Sequence, residues 1–180
     1  MTQNDLDAPP SNATHRHQDT ICPPDSSQTW LRRFGLAAFL WAMAFGLVSA
    51  YWALGGLLGV DQLSPALRDQ AERRETAFVA ILWVTAVLKV IGGLVPLALA
   101  FDLWRTISRR VVAMLTWLGG VLLTLYGIGD ILSGTVRAIG EDSGGAIWYA
   151  VLWGPIWLVG GILYLGTAWF HRRESIASLA

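Results

Sequence analysis

Four long stretches of the chain carry almost no charge. Phe34 to Leu58 has none, and Ala77 to Phe101 is interrupted only by Lys89. Val111 to Leu132 is broken only by Asp130 near its end, and Ala146 to Phe170 is again uncharged. At about 1.5 Å per residue, runs of this length span about 33 to 37 Å, more than the hydrocarbon thickness of about 30 Å. Inside hydrocarbon every backbone N–H and C=O must be paired within its own segment, which leaves helices as the form such runs take. The pattern therefore predicts an all-α, polytopic membrane protein with four transmembrane helices at about 34–58, 77–101, 111–132 and 146–170. These form one unit over 30–172, followed by a short C-terminal tail at 173–180.

The segments between and before the runs are polar. Residues 1–29 hold Pro9, Pro10, Pro23 and Pro24 among Ser, Asn, Asp, Thr and Gln, with too little apolar surface to build a core, so they read as a disordered tail. Pro65 to Glu75 alternates Ala and Leu with Arg, Asp and Glu and predicts a short amphipathic helix lying at the membrane surface. Arg32-Arg33 precede an apolar run, and Val48-Ser49-Ala50 has the look of a signal-peptide cleavage site. The polar region upstream is too long for a signal peptide, however, and the apolar run continues past Ala50, so the segment is read as retained.

Charge sets an orientation. Arg16, Arg32, Arg33, Arg105, Arg109, Arg110, Arg172 and Arg173 fall on one side of the four predicted crossings. Arg68, Arg73, Arg74 and Arg137 fall on the other, diluted by acidic neighbours. Positive charge is retained on the cytoplasmic face, so both termini are expected on the cytoplasmic side of the cell membrane. Formal net charge is zero, which gives no electrostatic basis for nucleic acid as a partner. Cys22 is the single cysteine and can form no intrachain disulfide, and His15 and His17 near it lack the spacing of a metal site. No catalytic, nucleotide-binding or metal motif stands out, and no cofactor is expected.

Helix association in lipid relies on close backbone approach and hydrogen bonds, because lipid tails are as apolar as Leu. Ala38, Ala42, Gly46 and Ala50 recur every four residues and predict a smooth packing face on the first helix, with Gly55 and Gly59 continuing the spacing. Gly pairs at 55–56, 92–93, 119–120 and 160–161 mark expected crossing points or kinks, and Pro96 and Pro155 are expected to bend their helices.

Lys89 is the one costly residue. Counted from Ala77 it lies about 18 Å into its span, near the bilayer centre, where an ammonium costs at least about 2.5 kcal/mol on insertion scales. Side chains lean toward the helix N-terminus, so Lys89 is expected to reach outward, to the depth of Ser49, Tyr51, Thr124 and Tyr126. Asp130 sits shallower and is expected to connect through Tyr126 rather than by a direct ion pair. These six residues, Lys89, Tyr126, Asp130, Ser49, Tyr51 and Thr124, form the candidate polar cluster, read either as a ligand or proton site or as a hydrogen-bonded staple.

Ser49-Ala50-Tyr51-Trp52-Ala53-Leu54-Gly55-Gly56, with the later Trp153-Gly154-Pro155-Ile156-Trp157-Leu158-Val159-Gly160-Gly161, resembles a family of small, four-helix, mainly actinobacterial membrane proteins of unknown function. The resemblance extends over about residues 34–172. Members of that family often carry His where this chain has Ser49, a departure that weakens a proton-transfer role. The resemblance implies a bacterial inner-membrane address and no biochemical activity. The reading is a non-enzymatic accessory or interaction subunit, whose partners are the bilayer and a second copy of itself or another membrane protein. The alternative is a small transporter or channel component using the Lys89 site.

Overall fold

The computed structural model describes residues 26–60, 65–104, 106–139 and 146–177. Its elements run in order as α1 (Ser26–Ala53), α2 (Pro65–Glu72), α3 (Thr76–Phe101), α4 (Arg109–Ile139), α5 (Ala146–Trp148), a π-helical turn (Tyr149–Trp153) and α6 (Gly154–Ala177). No strand occurs among the described residues. Four helical stretches, α1, α3, α4 and the continuous run Ala146–Ile176, are long and apolar enough to cross a membrane. Most of the expected N-terminal tail, including His15, His17 and Cys22, lies outside the described residues.

Helix ends depart from the charge-free runs because backbone geometry, not composition, stops a helix. Helix α1 starts at Ser26, inside the stretch expected to be disordered, and ends at Ala53 although apolar residues continue to Leu58. The stop is a Schellman turn: Gly55 adopts φ +100, its N–H donates to Trp52 O, and the Gly56 N–H donates to Tyr51 O, both at 2.9 Å. Gly55 and Gly59 (φ +82) thus serve as left-handed turn residues rather than extending the packing face of α1. Helix α4 runs seven residues past Leu132. There the Ser133 and Thr135 hydroxyls donate to the carbonyls of Asp130 (3.3 Å) and Ile131 (2.7 Å), so polar residues continue the helix without competing for its backbone. Helix α6 likewise continues beyond Arg173 to Ala177, where a tail was expected.

Small residues make up most of the inward faces, and most large apolar side chains point outward. On α1 the buried positions are Leu31, Gly35, Ala38, Ala42, Gly46, Ser49 and Ala53, a single helical face, while Leu36, Leu40 and Leu47 are exposed. Ala50, expected on the packing face, is half-buried beside it. This face lies mainly on α3: a Cβ at Gly93 would meet the Ala42 side chain at 2.7 Å, and one at Gly46 would meet the Ala86 carbonyl at 3.5 Å. The small-residue face of α1 is thus occupied within the chain.

Helices α4 and α6 form the second close pair, and α1 also packs on α6, joining the two pairs into a bundle. On α4 the buried glycines Gly120, Gly127 and Gly134 recur every seven residues, the spacing that keeps one seam toward a neighbour. A Cβ at Gly127 would stand 2.8 Å from Gly154 O, and one at Gly134 would stand 2.6 Å from the Ala150 nitrogen. The backbones therefore touch along this seam. Helix α2 has no buried residue and is held by exposed i,i+4 pairs, Arg68 with Glu72 at 2.7 Å and Arg73 with Asp69 at 2.9 Å.

Candidate functional site

Near the end of the bundle that carries α2, the helices part around Lys89. Phe45, Ser49 and Trp52 come forward together because they sit four and three residues apart on one face of α1. Lys89 enters from α3, Tyr126 and Asp130 from successive turns of α4, and Leu67 from α2. The π-helical turn supplies Tyr149 and Trp153, and α6 supplies Trp157. Together they line a cavity of about 180 Å³.

The π turn explains two of these walls. Its hydrogen bonds reach one residue further than those of an α-helix, as in Gly154 N–H to Tyr149 O, and this fits Pro155, which has no N–H to donate. Such turns insert one residue into a helix and re-aim the side chains next to it. Here those side chains include Tyr149 and Trp153.

Lys89 is well held for an ammonium in an apolar wall. Its Nζ donates to Ser49 Oγ at 2.7 Å, a bond joining α3 to α1. The same nitrogen lies 5.9 Å from the Phe45 ring centroid and 5.8 Å from that of Trp157, within cation–π range. The rings also support one another: Phe45 and Trp157 are 5.5 Å apart, and Tyr126 meets Trp157 edge-on at 5.3 Å. Trp52 and Trp153 approach to 6.0 Å. An ammonium has three N–H donors, and Ser49 takes one.

Of the six residues singled out from sequence, Lys89, Ser49, Tyr126 and Asp130 line the same cavity. Lys89 and Asp130 form no ion pair within 4.0 Å. Tyr51 and Thr124 are drawn elsewhere. The Tyr51 hydroxyl accepts from the Leu58 N–H at 3.4 Å in the turn after α1, and Thr124 donates to Gly120 O at 2.8 Å against Gly161. Sequence reasoning missed Phe45, Trp52, Trp153 and Trp157 as walls. The shared face of Phe45, Ser49 and Trp52 was the signal that could have found the first two.

Chemically the cavity offers a positive centre, Lys89, with two N–H donors beyond the one given to Ser49, and a carboxylate, Asp130, on its wall. Aromatic rings fill the space between. This arrangement suits an anionic group attached to an apolar or aromatic body. Among the described residues no three His, Cys, Asp or Glu side chains come together in a way that could hold a metal ion.

A family model described as "Protein of unknown function (DUF3995)" matches residues 42–164. The chain belongs to this family. The matched stretch contains every cavity residue named above, from Phe45 to Trp157, so in this DUF3995 member the pocket lies wholly within the family's common portion. The arginine-rich end of α6, beyond Tyr164, falls outside it. No curated protein and no solved structure matches the chain.

Proposed function

We propose that this DUF3995 protein is a non-enzymatic, four-span protein of the bacterial plasma membrane with both termini in the cytosol. We infer that it acts as a binding subunit, receiving the anionic group of a small amphiphile at Lys89. The membrane reading is supported by four helices of sufficient length whose large apolar side chains, such as Leu47, Ile81, Leu88 and Leu122, point away from the bundle. Orientation follows from the arginine asymmetry between the two ends.

One observation carries the binding reading: Lys89, with one of its three N–H donors taken by Ser49, lines a cavity walled by all four membrane-length stretches and α2. A purely structural staple would be sealed by its partners. A conduit through one chain is disfavoured, because α4 and α6 are in backbone contact at Gly120, Gly127 and Gly161. Transport would need several copies or a moving seam.

The test uses the full chain in neutral detergent with dodecanoate as probe and dodecyltrimethylammonium as its cationic counterpart. Dodecanoate should raise the melting temperature of the wild type and of Lys89→Arg, and leave Lys89→Met unmoved. Equal shifts in wild type and Lys89→Met, or a larger response to the cationic amphiphile, would remove the anion-binding reading. Lys89-dependent flux of the anion across proteoliposomes would favour a transport component instead.

A further inference from the structure

The opposite end of the bundle carries a second concavity, built from different chemistry. The start of α4 and the end of α6 lie side by side and leave a groove of about 380 Å³ between them. Arg110 borders it from the first turn of α4, and Arg172 from the last part of α6. Between them His171 lines the groove with only 9% of its surface exposed, and its Nδ1 has no hydrogen-bond partner among the described residues. One turn or more further along each helix the lining turns apolar, with Met114, Trp117 and Ala168.

Two guanidinium groups border the groove on either side of the buried His171 ring, and guanidinium forks match phosphate oxygens in geometry as well as charge. Arg110 also stands in the first turn of α4, whose N–H groups and dipole favour an anion. No carboxylate lines the groove among the described residues.

The gradient from basic to apolar distinguishes a lipid from a soluble phosphate. A free phosphate would need the basic end alone and would gain nothing from Met114, Trp117 and Ala168. A phospholipid fits both halves, its headgroup at the arginines and the start of its acyl chain along the apolar part.

We propose that the groove between α4 and α6, bounded by Arg110, His171 and Arg172, is a binding site for the phosphate of an anionic phospholipid. This rests on the membrane reading above but not on the Lys89 pocket. The site holds α4 and α6 together where the glycine seam has ended and places that end of the bundle at the anionic leaflet, as basic pockets between helices do.

The experiment is native mass spectrometry of the full chain in mild detergent, titrated with equimolar phosphatidylglycerol and phosphatidylcholine. The wild type should retain phosphatidylglycerol preferentially. Arg110→Gln/Arg172→Gln should lower that preference about tenfold or more, given two lost contacts. Arg32→Gln/Arg33→Gln removes the same charge from exposed positions on α1 at the same end, and should change it less than about twofold. All four arginines are exposed, so melting temperatures should confirm that both variants fold, and single Arg172→Gln should show an intermediate loss.

Equal losses in the two double variants would make the effect a general surface charge and overturn the site. Retention of both lipids without preference would also overturn it, while leaving the membrane reading intact. Displacement of the lipid by millimolar glycerol 3-phosphate would assign the groove to a soluble phosphate instead.

Discussion

Removing Ser49 should damage the protein more than removing Lys89. The Lys89 to Ser49 bond is charge-assisted, short at 2.7 Å, and made between half-buried and buried side chains. Hydrogen bonds to charged groups contribute about 1.5 to 3 kcal/mol, and a buried charge left without its acceptor forfeits the upper part of that range. Ser49→Ala strands the ammonium with only the faces of Phe45 and Trp157, worth about 0.5 to 2 kcal/mol together, and should cost about 2 kcal/mol. Lys89→Met loses the same hydrogen bond and ring contacts. Under the membrane reading it also removes an insertion cost of at least about 2.5 kcal/mol, so it should be near neutral. The double variant should match Lys89→Met, giving a coupling of about 2 kcal/mol.

At about 2 to 4 °C per kcal/mol for a chain of this size, Ser49→Ala should melt about 4 to 8 °C lower in detergent, and Lys89→Met within about 2 °C of wild type. Additive effects of the two substitutions, with coupling below about 0.5 kcal/mol, would refute the bond between α1 and α3 and with it the geometry of the cavity.

The α4 seam gives a contrast between two glycines two residues apart. Gly127→Ala would set a methyl 2.8 Å from the Gly154 carbonyl and should lower the melting temperature, at a cost of about 1 to 3 kcal/mol. Gly129→Ala meets nothing within 4 Å and should raise stability by about 0.5 to 1 kcal/mol through helix propensity. A Gly129→Ala penalty equal to that of Gly127→Ala would mean that α4 is turned differently about its axis. Reporter fusions should place both chain ends in the cytosol and an insertion in α2 outside; a periplasmic signal from either terminus would reverse the charge argument.

Much of the fold was legible because lipid-length helices announce themselves by missing charge, and all four apolar runs became helices. Their ends were less legible, since apolar Leu57 and Leu58 lie beyond a glycine stop while polar Ser133, Thr135 and Arg137 remain helical. Depth counting set Lys89 level with Ser49 and Tyr126, which line the same cavity, because rise per residue fixes height along a span, whereas Asp130, counted shallower, lines that cavity too. It failed for Tyr51 and Thr124 because height says nothing about direction around the axis. Tyr51 lies two residues from Ser49, about 200° around the helix, and turns away. The seven-residue glycine repeat on α4 is legible in the sequence as Gly120, Gly127 and Gly134. The π turn was not readable, since Tyr149-Ala150-Val151-Leu152-Trp153 carries no mark of a widened backbone other than Pro155 nearby.

That widened turn fixes where the aromatic wall stands, because Pro155 just beyond it has no N–H to donate to a regular helical bond. Rewinding it to ordinary helical pitch would release one residue, sliding Tyr149 about 1.5 Å along the axis and swinging it about 100° relative to Trp157. Tyr149 would then leave the ring of side chains facing Lys89, while α6 below Gly154 kept its grip on α4. Aperture and scaffold are thus joined at one point of a continuous stretch of chain: because Ala150 of the turn lies against Gly134, a change in what fits beside the ammonium would loosen the uppermost glycine contact while leaving those at Gly120 and Gly127 in place.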